Sequence, residues 1–167
     1  MAKLDADQFF SSLKKLYDHW KKDDSETNKI KPAKILTIIF GNNKNDIYAK
    51  SSSVHKWMFG YELTDTVLIF TKATCHIVTS KKKVDFLQEL NENKENKSDD
   101  TPKIVLHTKS KGDNSDLMSK IKDFYHKGKV GVLLKDLKNI SVSTEFSSDV
   151  VKVLGNKLLF ICYRKQF

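Results

Sequence analysis

The sequence predicts an α/β domain in which helices flank a mixed β-sheet. Segments with strand character alternate with segments of helical periodicity along the 167 residues, a pattern typical of a sheet covered by helices. Several strand segments are apolar on both faces, as expected for strands buried between two layers. A predicted hairpin over residues 66–79 makes two neighbouring strands antiparallel, so the sheet is expected to be mixed and not purely parallel.

The first helix is predicted over residues 5–22. Apolar and aromatic residues recur there at positions i, i+4, i+7 and i+11, from Phe9 to Trp20, and form one stripe along a helix. Asp5 precedes this stripe as a candidate N-cap, and Gln8 follows three residues later, as in a capping box. The start of the helix and its buried face are therefore both predicted.

The middle of the chain is predicted to supply a strand, a short helix and a hairpin. Residues 33–40 are rich in β-branched and apolar side chains and predict a central strand. Residues 52–59 predict a short helix, capped by a serine and ended by Gly60. Residues 66–71 and 74–79 predict the two strands of the hairpin.

The remaining residues continue the alternation, with a helix over 80–90 that Ser80 is expected to cap. The polar, low-complexity segment 91–101 predicts a mobile surface loop within one domain. The sequence thus predicts a single α/β lobe over residues 1–155 and a divergent C-terminal segment, 156–167, such as the end of a truncated or alternative product. The later predicted elements are a strand at 103–108, a helix at 114–126, a strand at 129–134, a helix at 145–154 and a strand at 158–163.

The charge balance restricts the classes of partner. Thirty Lys+Arg against 21 Asp+Glu give a formal net charge of +9, so weak electrostatic attraction to nucleic acid is expected. Arg164 is the single arginine, which argues against specific base reading, since that favours arginine forks. Cys75 and Cys162 lie far apart and predict a reducing compartment without structural zinc. No apolar run is long enough to predict a membrane span, and no secretory signal is recognised.

Sequence motifs for catalysis and cofactor binding are missing. The chain has no GxGxxG, no Walker loop, no HExxH and no GxSxG, so neither a catalytic residue nor a metal or cofactor site is predicted. His76 and His107 lie in strand patterns that could bring them together, but two histidines are a weak metal signal. Cys75 and His76 are neighbours in a strand and point to opposite faces, which excludes a Cys–His catalytic pair.

The densest group of aromatic and acidic residues follows the short helix over 52–59. Trp57, Tyr61, Glu62 and Asp65 are the candidate protein-binding residues, in which aromatic anchors stand among acids that could receive a basic peptide. The alternative is structural: the aromatic side chains pack under the sheet, and the acids cap turns. We refer to these four residues as the aromatic–acid surface.

Three consecutive lysines follow Ser80. If the helix begins at Ser80, then Lys81, Lys82 and Lys83 occupy its first turn, where the positive end of the helix dipole disfavours cations. Such a placement indicates a candidate anion-binding site for DNA phosphate or an acidic partner segment. The alternative is a solvated run of charge whose cost is screened by salt. We refer to these residues as the lysine run.

Three stretches also resemble a known family. Residues 48–51 (Tyr-Ala-Lys-Ser), residues 57–66 (Trp-x-Phe-Gly-Tyr-Glu-Leu-Thr-Asp-Thr) and residues 80–87 (Ser-Lys-Lys-Lys-Val-x-Phe-Leu) resemble the large subunit of the FACT histone chaperone. The resemblance is colinear over about residues 5–135 and fades beyond about residue 138. It implies the first lobe of a creatinase/prolidase-like fold that lacks catalytic and metal-binding residues.

The resemblance also implies a function. It suggests a non-catalytic part of a histone chaperone that reorganises nucleosomes in transcription, replication and repair, in the nucleus and on chromosomes. Histones and an HMG-box partner subunit are the implied partners. Three alternatives stay open at this point: the regulatory lobe of a metallopeptidase of the same superfamily, a general nucleic-acid-binding domain, and a lobe that only scaffolds its neighbours.

Overall fold

The structure, a computed structural model, describes residues 3–22, 33–41, 50–92, 99–133, 149–150, 152 and 158–161. Helices and strands alternate through these residues. The helices are α1 (Ala6–Lys21), α2 (Lys50–Phe59), α3 (Lys81–Leu87), α4 (Glu89–Glu92) and α5 (Ser115–His126). The strands are β1 (Ile35–Phe40), β2 (Thr66–Phe70), β3 (Thr74–Ser80), β4 (Lys103–Lys109), β5 (Val130–Leu133) and β6 (Leu158–Ile161).

The strands form one six-stranded mixed sheet in the order β4-β3-β2-β1-β5-β6. Strand β2 runs antiparallel to both β1 and β3. The β3–β4, β1–β5 and β5–β6 pairs are parallel. The predicted class, a mixed sheet flanked by helices, is therefore confirmed, and the predicted hairpin forms the antiparallel β2–β3 pair.

Side chains of alternating strand residues fill two separate cores, one on each face of the sheet. Leu68 and Phe70 belong to the first core, in which α1, α2 and the α3–α4 segment cover the sheet. Val67 and Ile69 belong to the second core, which α5 covers. This two-residue alternation is the reason why strands that are apolar at every position are stable here: both faces are buried.

The N-cap of α1 is confirmed, but the capping box is only half formed. Asp5 accepts a hydrogen bond from the backbone N–H of Gln8 at 2.9 Å. The side chain of Gln8 does not return to the cap. Its Nε2 instead donates to the carbonyl oxygens of Lys56 and Trp57, each at 3.0 Å, because these carbonyls at the end of α2 lie within its reach.

Two helices of the structure differ from the predicted ones in their bounds. Helix α2 is already helical at Lys50, so the serines at 51–53 lie inside it and none of them caps its start. Residues 80–90 form two short helices, since the chain departs from the helix at Gln88. Ser80 holds the predicted N-cap position of α3, although its side chain makes no capping hydrogen bond.

Several predictions fall wholly or partly outside the described residues. The connector before Pro32 and most of the polar segment 91–101 are among these, whereas Asn91 and Glu92 are helical. Of the helix predicted at 145–154, residues 149, 150 and 152 are described and helical. The division at residue 155 stays a prediction, while residues 158–161 add β6 to the sheet beside β5. Within the described ranges, no helix combines the length and apolarity that a bilayer crossing requires.

Candidate binding surfaces

The four residues of the aromatic–acid surface differ in how far they face solvent. Trp57 and Tyr61 are half-buried, Glu62 is exposed, and Asp65 is turned partly inward. Helix α2 positions Trp57, and the glycine turn at Gly60, with φ of +78°, directs the next residues toward β2. Only part of this predicted surface is therefore available to a partner.

Glu62 is the most exposed acid of the aromatic–acid surface. The Ser52 hydroxyl donates to its carboxylate, and the Lys56 ammonium lies 3.0 Å from the same oxygen. The hydrogen bond from Ser52, followed by the contact with Lys56, holds the pKa of Glu62 below its usual range. The carboxylate is thus oriented on the end of α2 and stays charged.

The two aromatic side chains also have structural roles. The Tyr61 ring packs edge-on against Phe86, with 5.7 Å between ring centroids. Its hydroxyl is buried, and no group in the described part of the chain forms a hydrogen bond with it. Burial, and then the charge of Glu89, raise the pKa of Tyr61 to about 12. The Trp57 side chain packs against the first core, so the structural alternative accounts for much of the aromatic contact.

Asp65 is bound inside the molecule. Its backbone adopts φ of +55°, a left-handed conformation that aspartate tolerates better than most residues do. Its N–H donates to the Gly41 carbonyl at 3.1 Å. Its carboxylate pairs with the Lys109 ammonium, whose side chain is only 9% exposed. This acid is committed to an internal ion pair.

The three lysines of the lysine run have three different environments. Lys81 pairs with Asp85 one turn later at 2.6 Å, with both side chains exposed. Lys82 is exposed. Lys83 is half-buried, and its ammonium donates to the carbonyl oxygen of Thr64. Burial lowers the pKa of Lys83, and the nearby Asp65 carboxylate opposes that effect.

The two predicted surfaces therefore meet at a polar junction that consists of Thr64, Asp65, Lys83 and Lys109. The junction joins the turn before β2, helix α3 and the end of β4. Sequence reasoning missed it because its partners lie 19 and 44 residues apart, and no local spacing indicates such contacts. Asp65 had been assigned to one surface and Lys83 to the other, whereas the structure brings them together.

His55 is a buried polar residue that the sequence did not single out. Its side chain lies between two phenylalanine rings, 4.9 Å from Phe40 and 5.7 Å from Phe59. Both ring nitrogens are buried, and neither has a hydrogen-bond partner among the described residues. Burial lowers the pKa of His55 to about 3, although the Glu62 charge acts in the opposite direction. The ring is therefore neutral at physiological pH.

His76 and His107 approach each other as predicted. His76 Nδ1 lies 3.0 Å from His107 Nε2, and Thr74 contacts the other nitrogen of His76 at 2.9 Å. The Phe124 ring packs on His76 at 4.3 Å. Burial, and then His107 and Lys127, lower the pKa of His76 to about 4. Among the described residues, no group of three or more His, Cys, Asp or Glu side chains is arranged to hold a metal.

Cys75 is a core residue. It lies in the first core, on the face of the sheet opposite to His76 and the second core, so the exclusion of a Cys–His pair is confirmed. Burial raises the pKa of its thiol, which keeps the sulfur in its less nucleophilic protonated form.

The fold and its surfaces define an α/β lobe with a mixed sheet between two helical layers and exposed charged groups at the ends of α2 and α3. The family model described as the FACT complex subunit SPT16 N-terminal lobe domain matches residues 4–162. The chain belongs to this family.

Curated relatives and solved structures agree with that assignment. The chain is 37% identical over 99 residues to FACT complex subunit SPT16 of Dictyostelium discoideum, a match that covers 59% of the chain and 9% of the relative. It is 29% identical over 159 residues to the Mycosarcoma maydis protein of the same name, a match that covers 92% of the chain and 15% of the relative. The chain thus spans a small fraction of the length of these relatives.

Structural similarity extends over nearly the whole chain. The N-terminal domain of FACT complex subunit SPT16 from Eremothecium gossypii superposes with a TM-score of 0.76 at 22% identity, covering 96% of this chain and 36% of that one. The corresponding chickpea domain superposes with a TM-score of 0.70 at 23% identity, covering 95% of this chain and 36% of that one. At this identity the likeness establishes the fold.

Proposed function

We propose that the chain is a non-catalytic binding domain of a FACT histone chaperone, which reorganises nucleosomes during transcription elongation, DNA replication and DNA repair. The observation that carries this proposal is the family match over residues 4–162. The proposed partners are histones and an HMG-box subunit of the same complex, and the proposed location is the nucleus, on chromosomes. Electrostatic attraction to nucleic acid is expected to be weak.

The side chains described above support a binding role without chemistry. Cys75 is buried and protonated. His55 packs against a phenylalanine ring, and His76 and His107 contact each other. The carboxylates of Glu62 and Asp65 are paired with lysines. None of these groups is arranged as a nucleophile with its base, which is the arrangement that acyl or peptidyl transfer requires.

Each candidate surface suits a different partner charge. We propose that Trp57, Tyr61 and Glu62 contact a basic histone segment, because Glu62 is the exposed acid beside two half-buried rings. We propose that Lys81 and Lys82 contact an anionic segment, since both side chains are exposed. Asp65 and Lys83 contribute through the junction, and they are not proposed to contact the partner directly.

The test is binding of the purified chain to core histone complexes, followed by fluorescence anisotropy. Glu62→Lys should weaken histone binding by roughly fivefold, as expected for one exposed charge contact of about 1 kcal/mol. Asp18→Lys is the matched control, because Asp18 is likewise an exposed acid in an ion pair with a lysine, Lys14. Wild-type affinity in a folded Glu62→Lys variant would remove the aromatic–acid surface from the proposal.

A second pair of variants tests the lysine run with an acidic peptide and a DNA duplex as probes. Double charge reversal at Lys81 and Lys82 should weaken binding to the anionic probe. The same reversal at Lys14 and Lys15 is the control, because Lys14 forms an i,i+4 pair at 2.7 Å like that of Lys81. Equal losses in the two double variants would indicate that only net charge matters.

Titration of the chain with DNA and with histones at two salt concentrations distinguishes a general nucleic-acid-binding domain from a histone-binding domain. Phosphate-driven affinity falls steeply as salt rises. If the chain binds DNA more tightly than histones at physiological salt, the proposed partner class is wrong. If the chain binds neither, it acts as a scaffold for its neighbouring domains.

A further inference from the structure

Among the described residues, β4 is the edge strand on one side of the sheet. Its inner edge pairs with β3 along its whole length, and the Lys103 N–H donates to the Ala73 carbonyl at 3.0 Å. In a parallel ladder, alternate residues direct both backbone groups to the same neighbour. The even-numbered residues, Ile104, Leu106 and Thr108, therefore direct their N–H and C=O groups outward. No strand pairs with this edge among the residues that the structure describes.

An open cavity of about 390 Å³ lies beside this edge. Leu106, His107 and Thr108 form its strand side. Leu106 and His107 point to opposite faces of the sheet, so a cavity that borders both of them runs past the backbone edge. The opposite wall is the first part of α5, including Asp116 and Lys120.

The geometry is that of a groove between an edge strand and a helix. An extended peptide binds such a groove by adding a strand, so that main-chain hydrogen bonds give affinity and side-chain contacts give selectivity. The uncharged middle of β4, residues 104–108, lacks the lysine or proline that commonly blocks an edge against pairing. The groove therefore has the backbone groups, the space and the open edge that strand addition requires.

The charges in the groove favour a basic occupant. Two acidic residues, Asp113 and Asp116, line it together with one basic residue, Lys120. Hydrogen bonds from Ser115 lower the pKa of Asp113 and keep it ionised. Burial lowers the pKa of His107, so this ring adds no positive charge at neutral pH. The groove is thus locally acidic on a chain whose net charge is +9.

We propose that the groove between β4 and α5 binds an extended basic peptide segment of a partner protein as an added strand on β4. The outward backbone groups of Leu106 and Thr108 bond the peptide main chain, and Asp113 and Asp116 receive a lysine or arginine side chain. The edge, the cavity and the charges support this second binding site, which is separate from the aromatic–acid surface and from the lysine run.

The test uses a dye-labelled peptide, Gly-Ser-Thr-Val-Lys-Val-Thr-Ser-Gly, and a second peptide in which Glu replaces the central Lys. The full chain should bind the Lys peptide about threefold more tightly than the Glu peptide, as expected for one exposed charge pair. Thr108→Pro should abolish binding of both peptides, because proline lacks the outward N–H and its ring obstructs the edge.

Thr108→Val is the matched control, since it changes the same exposed side chain and keeps the backbone donor. It should bind as wild type does. Circular dichroism and the unfolding midpoint verify that both variants are folded. If Thr108→Pro does not fold, amide exchange in the wild-type chain replaces it: the Lys peptide should slow exchange at Leu106 and Thr108 and leave Val105 unchanged.

The inference would be overturned if the chain did not bind the peptides at about 1 mM, which is the weak end of measurable affinity. It would also be overturned if folded Thr108→Pro bound the peptides as wild type does, or if the chain preferred the Glu peptide. Dimerisation that Thr108→Pro removes would show that β4 pairs with a second copy of the chain, and this too would overturn the inference. Histone binding is measured on the same samples. If the wild-type chain binds histones but not the Lys peptide, the groove alone is contradicted, whereas binding of the peptide without binding of histones would contradict the proposed partner class.

Discussion

The polar junction and the groove beside β4 use the same strand in opposite ways. At the junction, Lys109 at the end of β4 pairs with Asp65, and Lys83 bonds the Thr64 carbonyl. Along the groove, the outward groups of Leu106 and Thr108 face an open cavity. Two charged residues of the predicted surfaces, Asp65 and Lys83, thus make internal contacts, whereas the outward backbone groups lie in a segment that the sequence predicted only as a strand.

This difference shows what a run of charges does and does not indicate. A lysine or aspartate that lies next to other charged residues in the sequence has many possible hydrogen-bond and ion-pair partners in the folded chain. Internal pairing removes such a group from the surface, as at Asp65 and Lys83. Among the described residues, no strand pairs with the outward N–H and C=O groups of β4, and another strand is what satisfies such a row of groups. In this chain, the edge of β4 therefore indicates a candidate docking site that the charge runs did not indicate.

The largest effect is expected from breaking the junction. Asp65→Ala deprives the buried Lys109 ammonium of its carboxylate and places alanine in a left-handed conformation. The free energy of unfolding should fall by about 3 kcal/mol, the lower end for a broken buried pair because Asp65 is partly exposed. Urea unfolding measures this loss.

Asp65→Asn separates the two causes. Asparagine tolerates the left-handed conformation and lacks the charge, so it should lose less than the alanine variant does. If both variants stay within about 0.5 kcal/mol of wild type, as ordinary surface changes do, the junction is not a buried ion pair and the comparison fails.

A smaller effect of opposite sign is expected at His55. Leucine in its place removes two buried nitrogens that have no partner, and this should raise the free energy of unfolding by about 1 kcal/mol at neutral pH. His126→Leu makes the same chemical change at an exposed position of α5 and should not stabilise the protein. Thermal or urea unfolding of the three proteins gives the answer.

The same variant tests the pH dependence. The pKa of His55 is lowered from its ordinary value of 6.5 to about 3 in the folded chain, so the unfolded state binds more protons between these values. Stability that is present above pH 6.5 is therefore lost progressively as the pH falls toward 3. The unfolding free energy of His55→Leu should depend less on pH across this window, and an unchanged dependence would contradict the burial of a neutral ring.

The smallest effects distinguish the members of the lysine run. Lys83→Met removes the donor to the Thr64 carbonyl and should lower the free energy of unfolding by about 1 kcal/mol. Lys82→Met, at an exposed position, should change it by less than about 0.5 kcal/mol. Equal losses, measured by urea unfolding, would mean that Lys83 belongs to the exposed run after all.

The sequence predicted the layers of the fold because periodicity is a local property. The stripe from Phe9 to Trp20 and the alternation in β2 depend on neighbours within a few residues, and both faces of the sheet follow from them. The cap at Asp5 is equally local. The side chain of Gln8 is different: its acceptors lie 48 and 49 residues away, and the capping-box pattern carried no information about them.

The candidate surfaces were predicted less completely for the same reason. The pattern around Trp57 and Glu62 identified exposed groups at the end of α2. The inward turn of Asp65 depends on Lys109, and that of Lys83 depends on Thr64. Both contacts form only when α3, β4 and the turn before β2 meet. The approach of His76 to His107 was foreseeable because both lie in strands with the same alternation.

The most direct measurement is amide hydrogen exchange of the free chain, resolved residue by residue. An open edge predicts alternation along β4: fast exchange at Leu106 and Thr108, whose N–H groups face outward beside the cavity, and slow exchange at Val105 and His107, whose N–H groups bond β3. Uniformly slow exchange from Val105 to Thr108 would show that the edge is already covered, and would contradict the contrast between an open groove and a closed junction.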